Sequence, residues 1–342
     1  MSAEEFAART ESETMCVADL FTPCRSDGAS GTIRAFLAPM AGYTDAPFRA
    51  LCREFAPVYA VTEMISAAAI HYKDRKTASL ARLLPGDGPT AVQIFGHDAS
   101  FIAEAAEKIA SGELCGTVPA AIDINMGCPV KKIVSSGDGS ALMRDPALCA
   151  AIVEAAVRAA EPYRVPVTVK IRLGFDREHQ NAPEVARAVA AAGASAICVH
   201  GRTREQMYSG EASLDGIARV REAVAPEVPV YGNGDVTCRA DAERMIAQCG
   251  VDGVAVGRAA LSAPWVFAAI ADGNFTPPDE DERKRIALRL VRSVCETHGE
   301  RAGVVACRAR LGYLVAGMSG ATSMRRSLNE AGTLAEVEAI LT

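Results

Sequence analysis

Two glycine-bearing segments, YGNGD at 231–235 and VGRA at 256–259, each close an apolar run and bring backbone N–H groups to its end, and the second adds an arginine. Glycine lets a backbone approach a phosphate closely, and Arg258 can add a two-pronged positive charge. Three more polar residues end apolar runs of their own: Gln93 in VQIF, Lys170 in VTVKI and His200 in ICVH. A glutamine can pair with the edge of a ring system, and a lysine inside an apolar scaffold needs an anionic partner. The set suits a flavin mononucleotide, with phosphate near Asn233, Gly234, Asp235, Gly257 and Arg258 and the ring near Gln93, Lys170 and His200. A satisfied core histidine is the ordinary explanation of His200, but its place at the end of a run, in VHGRT, favours ligand contact. DINMGCPVKK at 123–132 adds what a cofactor alone does not need: a thiol, Cys128, in a tight turn beside Lys131 and Lys132.

These residues need a scaffold that gathers the ends of apolar runs. From residue 33 the chain repeats one unit, a short β-branched run, a turn and an alanine-rich stretch of helical spacing. The runs fall at 34–40, 58–63, 90–95, 120–124, 166–171, 195–200, 228–232 and 251–256, with helical stretches such as 99–110, 147–160 and 182–192 between them. This is α/β alternation, and eight such units over about 240 residues predict a (β/α)8 TIM barrel. An open doubly wound sheet is the competing architecture, but no G-x-G-x-x-G follows the first run, and the glycines at 137 and 139 follow no strand. In a barrel, chemistry sits where strands end. Those ends are Pro39-Met40-Ala41, Glu63-Met64, Gln93, Asn125 with Cys128, Lys170 with Arg172, His200 with Arg202, Asn233-Gly234-Asp235 and Gly257-Arg258.

The remainder bounds the organisation. An acidic extension fills 1–32, the barrel is expected over 33–274, and a polar, proline-containing boundary near 274–281 leads into a small helical domain at 279–342. Helices are expected there at 283–297, 301–318 and 333–341. That segment carries a formal +1 against −7 for the first 278 residues, so a nucleic-acid partner would have to meet a local basic face. Arg285, Arg289 and Arg292 share one helical face and offer such a surface, or a solvated face paired with local glutamates. No run approaches the ~18–20 apolar residues of a membrane span, and the first 30 residues lack an apolar signal core. Eleven scattered cysteines without C-x-x-C point to a reducing cytoplasm rather than to disulfides or zinc.

With these residues in hand, the sequence resembles the tRNA-dihydrouridine synthases, flavin-dependent enzymes that reduce uridine in tRNA, and their bacterial branch in particular. The likeness rests on LAPMAGYTDAPFR (37–49), VQIFG (92–96), DINMGCPVKK (123–132), GSALMRDP (139–146), VTVKIRLG (167–174), VHGRTREQMYSGEA (199–212), GNGD (232–235) and GRAALSAPW (257–265), in the family's order. The resemblance implies an FMN-binding barrel reduced by NADPH and a C-terminal helical domain that helps hold tRNA. It supports FMN contacts at Pro39, Met40, Ala41, Gln93, Lys170, His200, Asn233, Gly234, Asp235, Gly257 and Arg258. It makes Asn125, Arg172 and Arg202 candidates for the substrate uracil, and puts the family's general acid on Cys128. A thiol of pKa about 8.5 is protonated near neutrality yet acidic enough to protonate a carbanion-like carbon. Lys131 and Lys132 would favour thiolate if aimed at it, so their expected place is on RNA phosphates.

The chain departs from the family at IVSSGDGS (133–140), where many relatives carry asparagine and basic residues. It departs again at RAR (308–310), where Ala309 stands in an expected basic cluster near Tyr313. Two other readings fit parts of the pattern. One is an FMN barrel dehydrogenase acting on a free pyrimidine such as dihydroorotate, which needs no helical tail. The other is a flavin-retaining RNA-binding or chaperone protein, which needs no thiol at Cys128.

Overall fold

The computed structural model describes residues 33–342 apart from 75, 76, 78, 79 and 85, so the acidic extension lies outside the described residues. Eight parallel strands close into a barrel in sequence order: β1 (Ala35–Leu37), β2 (Ala60–Ser66), β3 (Thr90–Phe95), β4 (Ala121–Met126), β5 (Val167–Arg172), β6 (Ala196–His200), β7 (Val230–Asn233) and β8 (Gly253–Val256). The expected (β/α)8 barrel is present, and the open sheet is excluded by the pairing of β1 with β8. Helices on its outside include α1 (Ala46–Arg53), α2 (Ala67–His71), α3 (Ala99–Ala110), α4 (Lys131–Val134), α5 (Pro146–Ala160), α6 (Ala182–Ala191), α7 (Leu214–Ala223), α8 (Arg239–Cys249), α9 (Arg258–Ser262) and α10 (Val266–Ala271). Their starts follow local chemistry. Asp45 and Asp145 accept N–H groups of the first turn while a proline occupies an early helical position.

Side chains alternate across each strand, so every second residue faces the barrel axis. In β4, Ile122 and Ile124 join the large outer core under the helices, whereas Ala121 belongs to a separate inner cluster. That inner cluster packs Phe36 edge-on to Tyr59 at 5.7 Å and to Tyr231 at 5.2 Å. Alanines at 91, 121, 196 and 255 leave room for the three rings. Gly253 is required here, because a Cβ would stand 2.5 Å from the Arg34 carbonyl oxygen and 2.9 Å from the Tyr231 ring. Above this plug the inward positions turn polar, and there the site begins.

After the barrel come α11 (Glu280–His298), α12 (Glu300–Leu314), α13 (Ala321–Glu330) and α14 (Leu334–Leu341). Three of the four match expected helices, and α13 is additional to them. Helix α11 packs on α1, and α12 on α9. Arg310, expected in a basic cluster, is instead buried at the junction, donating to Asp45 at 2.7 Å and to the Gly42 carbonyl at 2.8 Å. Tyr313 meets Tyr43 edge-on with ring centroids 6.0 Å apart. The helical domain therefore braces the β1–α1 loop, which contains Pro39, Met40 and Ala41. No helix among the described residues is long and apolar enough to cross a membrane.

Candidate active site

Register sets which inward side chains meet. Gln93 pairs with Asp123, Asn125 with Lys170, Arg172 with His200, and His200 with Asn233 along neighbouring strands. These residues form one ring at the C-terminal end of the barrel. Lys170 donates to Asn233 Oδ1 at 3.0 Å, and Asn233 donates to the Ala255 carbonyl at 2.7 Å. Among the described residues Lys170 has no carboxylate in ion-pair contact, and burial pushes its pKa down. His200 is 7% exposed and lies in the field of Lys170, Arg172, Arg202 and Arg258. Burial first, then those four cations, holds the imidazole far below its usual range and hence neutral.

On this β5–β8 side two of the four cations, Arg202 and Arg258, share one surface carboxylate, Asp235. It accepts Arg202 at 2.7 Å, Arg258 at 3.0 Å and the Ala212 N–H at 2.8 Å. Arg202, expected at the substrate, is enclosed: it also donates to the carbonyls of Ser209 and Gly210, so it holds the 203–212 loop. Arg258, expected on phosphate, shares its guanidinium with Asp235 and keeps a half-exposed side chain. Gly234 has φ +124° and Asp235 φ +56°, and a Cβ on Gly234 would meet Ala212 at 2.7 Å and the His200 ring at 3.1 Å. The backbone is thus drawn tight against His200. The Tyr208 ring lies 5.1 Å from the Arg258 guanidinium and 5.6 Å from that of Arg172. An excess of positive charge around a neutral histidine, with an ammonium lacking a carboxylate, fits an anionic guest such as a flavin phosphate and ring.

The β4 turn stands beside this pocket. Asn125 Oδ1 accepts the N–H groups of Cys128 at 2.8 Å and Gly127 at 3.2 Å, which folds the chain back at the strand end. Ser140 closes the loop from the other side, its hydroxyl donating to the Cys128 carbonyl at 2.9 Å. Arg172 donates to the Gly127 carbonyl at 2.8 Å and to the carbonyls of Thr203 and Met207, tying this turn to the next loop. Cys128 is partly exposed and its pKa is raised; burial outweighs the Val130 backbone N–H and the cations Arg172 and Lys170, which pull it down. The thiol is therefore protonated. Lys131 and Lys132 are exposed, and neither forms an ion pair with a described residue. In the 133–140 loop, Asp138 receives the His97 ring at 2.8 Å, which anchors the segment.

Reasoning from sequence passes over Asp123 and Thr168. Asp123 lies 4% exposed beneath the ring, receiving Thr168 Oγ1 at 2.5 Å and Gln93 Nε2 at 2.6 Å. Alternation in AIDINM carries the signal, because Asp123 and Asn125 fall on the same face as Ala121. The arginine face of α11 is occupied: Arg285 binds Glu282, Arg289 binds Glu54 and Glu282, and Arg292 binds Glu338.

Fold and site together define a (β/α)8 barrel with a cation-lined mouth and a protonated thiol at the end of β4. The dihydrouridine synthase (Dus) family model matches residues 36–342. A tRNA-dihydrouridine synthase B of Pseudomonas aeruginosa is 41% identical over 86% of this chain and 88% of that protein. One from Pseudomonas putida is 42% identical over 86% of each chain, and a probable tRNA-dihydrouridine synthase of Rickettsia bellii is 38% identical over 86% and 89%. The chain belongs to the dihydrouridine synthase family.

Proposed function

We propose that the protein is an oxidoreductase that reduces the C5=C6 bond of uridines in tRNA, with FMN as cofactor, NADPH as reductant and the cytoplasm as its place of work. The observation that carries this reading is the protonated Cys128 thiol beside a cation-rich, carboxylate-poor barrel mouth. The backbone at Asn233, Gly234, Asp235, Gly257 and Arg258 would hold the cofactor phosphate. Pro39, Met40, Ala41, Gln93, Lys170 and His200 would line its ring. Bound there, the flavin supplies a hydride to C6 of the uracil.

The chain supplies the rest. Lys170, without a carboxylate in ion-pair contact, balances negative charge inside the barrel. Asn125 retains a second N–H for a uracil carbonyl, and Arg172 retains Nη2. Cys128 gives its proton to C5, and water restores the thiol. Arg202 shapes the neighbouring loop through Ser209, Gly210 and Asp235. The target base must leave its stack to reach this depth, so the RNA has to be held while one nucleotide is splayed out. Lys131 and Lys132, exposed beside the thiol and without ion pairs to described residues, meet phosphates, and the helical domain holds the RNA from the β1 side.

The test is direct. Unmodified tRNA incubated with the protein, FMN and NADPH should acquire dihydrouridine by mass spectrometry. Turnover of orotate or free uracil with none on tRNA would replace this reading with a free-pyrimidine dehydrogenase, and flavin binding without any product would replace it with an RNA-binding role.

A further inference from the structure

Four buried side chains between the barrel interior and the Cys128 turn form a chain of hydrogen bonds that runs one way. The N–H groups of Gly127 and Cys128 donate to Asn125 Oδ1. Asn125 Nδ2 donates to Gln93 Oε1 at 2.9 Å, and Gln93 Nε2 donates to Asp123 Oδ2 at 2.6 Å. From the other side Thr168 donates to Asp123 Oδ1 at 2.5 Å. Asp123, Gln93 and Asn125 are 4%, 1% and 8% exposed, so water does not replace a missing partner.

A carboxamide can sit either way round, exchanging its donor and acceptor ends. Here both ends of the chain choose the same direction. At the top two backbone donors require an oxygen, which turns Asn125 Nδ2 towards Gln93. At the bottom Asp123 receives Thr168 on one oxygen and Gln93 Nε2 on the other, which leaves the Gln93 oxygen for Asn125. Asp123 has no cation in ion-pair contact among the described residues: the nearby Lys170 ammonium goes to Asn233 instead. Its carboxylate is held by Thr168 and Gln93.

We propose that Asp123 is a positioning residue for Cys128, fixing through Gln93 and Asn125 the turn that presents the thiol. This rests on the functional reading only in taking Cys128 as the proton donor. Its logic is polarity, so a swap should restore what the change at Asn125 breaks. In Asp123→Asn the amide oxygen still accepts Gln93 Nε2 and its N–H can meet the Thr168 hydroxyl, which rotates to accept, so this change alone is mild. In Asn125→Asp two carboxylates flank Gln93, whose oxygen loses its donor. The double variant satisfies every group again. Its carboxylate, now at the strand end, accepts both the turn and Gln93 Nε2, while Gln93 Oε1 accepts from the new amide below.

The experiment is the alkylation rate of Cys128 by iodoacetamide at alkaline pH, resolved by peptide mass spectrometry because other cysteines are present. Circular dichroism checks the fold of each variant. Asn125→Asp should be alkylated about fivefold faster or more than the parent, the factor that one lost buried hydrogen bond is worth, and Asp123→Asn within about twofold of it. The double variant should return to within about twofold of the parent, since its chain is again fully paired. A double variant as reactive as Asn125→Asp, or Asn125→Asp indistinguishable from the parent, would overturn the proposal. The readout needs neither RNA nor reductant, so a protein inactive on tRNA would sink the functional reading and leave this inference standing.

Discussion

The Lys131–Lys132 turn and the arginine face of α11 look alike as strings of basic residues, and the folded chain treats them oppositely. Arg285, Arg289 and Arg292 each meet a glutamate, and Arg310 is buried on Asp45 at the junction of barrel and helical domain. The two lysines are exposed, without ion pairs to described residues, and stand three and four positions from the thiol. A cation already neutralised has little left for a phosphate, because a new contact must first displace the old one. Charge in a sequence is not charge on offer. Under the proposed function the two lysines are free to meet RNA at the barrel mouth, whereas Arg285, Arg289 and Arg292 already hold glutamates.

The largest effect should come from the brace. Arg310→Met leaves Asp45 without its arginine at a mostly buried junction, which should cost about 3 kcal/mol of stability. Chemical denaturation checks this, and a stability within error of the parent would demote the junction to an incidental contact. Next comes the mouth. Lys131→Gln with Lys132→Gln should weaken tRNA binding about tenfold and reduce the salt dependence of log K by roughly 1.5, as expected for two lost phosphate contacts. Fluorescence anisotropy at several salt concentrations measures both, and an unchanged salt slope would move the RNA elsewhere. The smallest effects belong to α11. Arg292→Gln should alter stability by about 0.5 kcal/mol or less and tRNA affinity by less than about twofold, as for an exposed pair. A tenfold loss of affinity there would reverse the comparison.

Acid–base chemistry sharpens it further. Because burial raises the Cys128 pKa, the thiol is protonated below that raised value and is lost as a donor only as pH rises through it. Dihydrouridine formation should therefore persist past the ordinary thiol pKa of about 8.5 and fall on the alkaline side. A profile already falling at pH 7 would mean that the neighbouring cations win over burial.

Much of this is legible in the sequence for a simple reason. Period-two alternation and turn residues are local, so all eight strands and the ends that carry Gln93, Asn125, Lys170 and His200 can be located from the chain alone. What escapes depends on partners far away in the chain. Arg310 looks like an RNA-facing cation until Asp45, 265 positions away, is placed beside it. Helix α13 begins after Gly320 with no side-chain cap and buries only Leu328, so neither its start nor its face leaves a pattern. Asp123 is in view but reads as part of a strand, because its meaning lies in Gln93 and Thr168 on the strands to either side. In the loop at 133–140 the contact that ties it down, Asp138 with His97, again joins residues far apart in the chain.

The central claim is that Cys128 delivers the proton at this mouth. The rate of dihydrouridine formation by Cys128→Ala, at saturating tRNA and reductant, tests it most directly. Loss of a positioned general acid should lower the rate by about 100-fold or more while flavin and tRNA still bind. A variant within a few-fold of the parent would contradict the account.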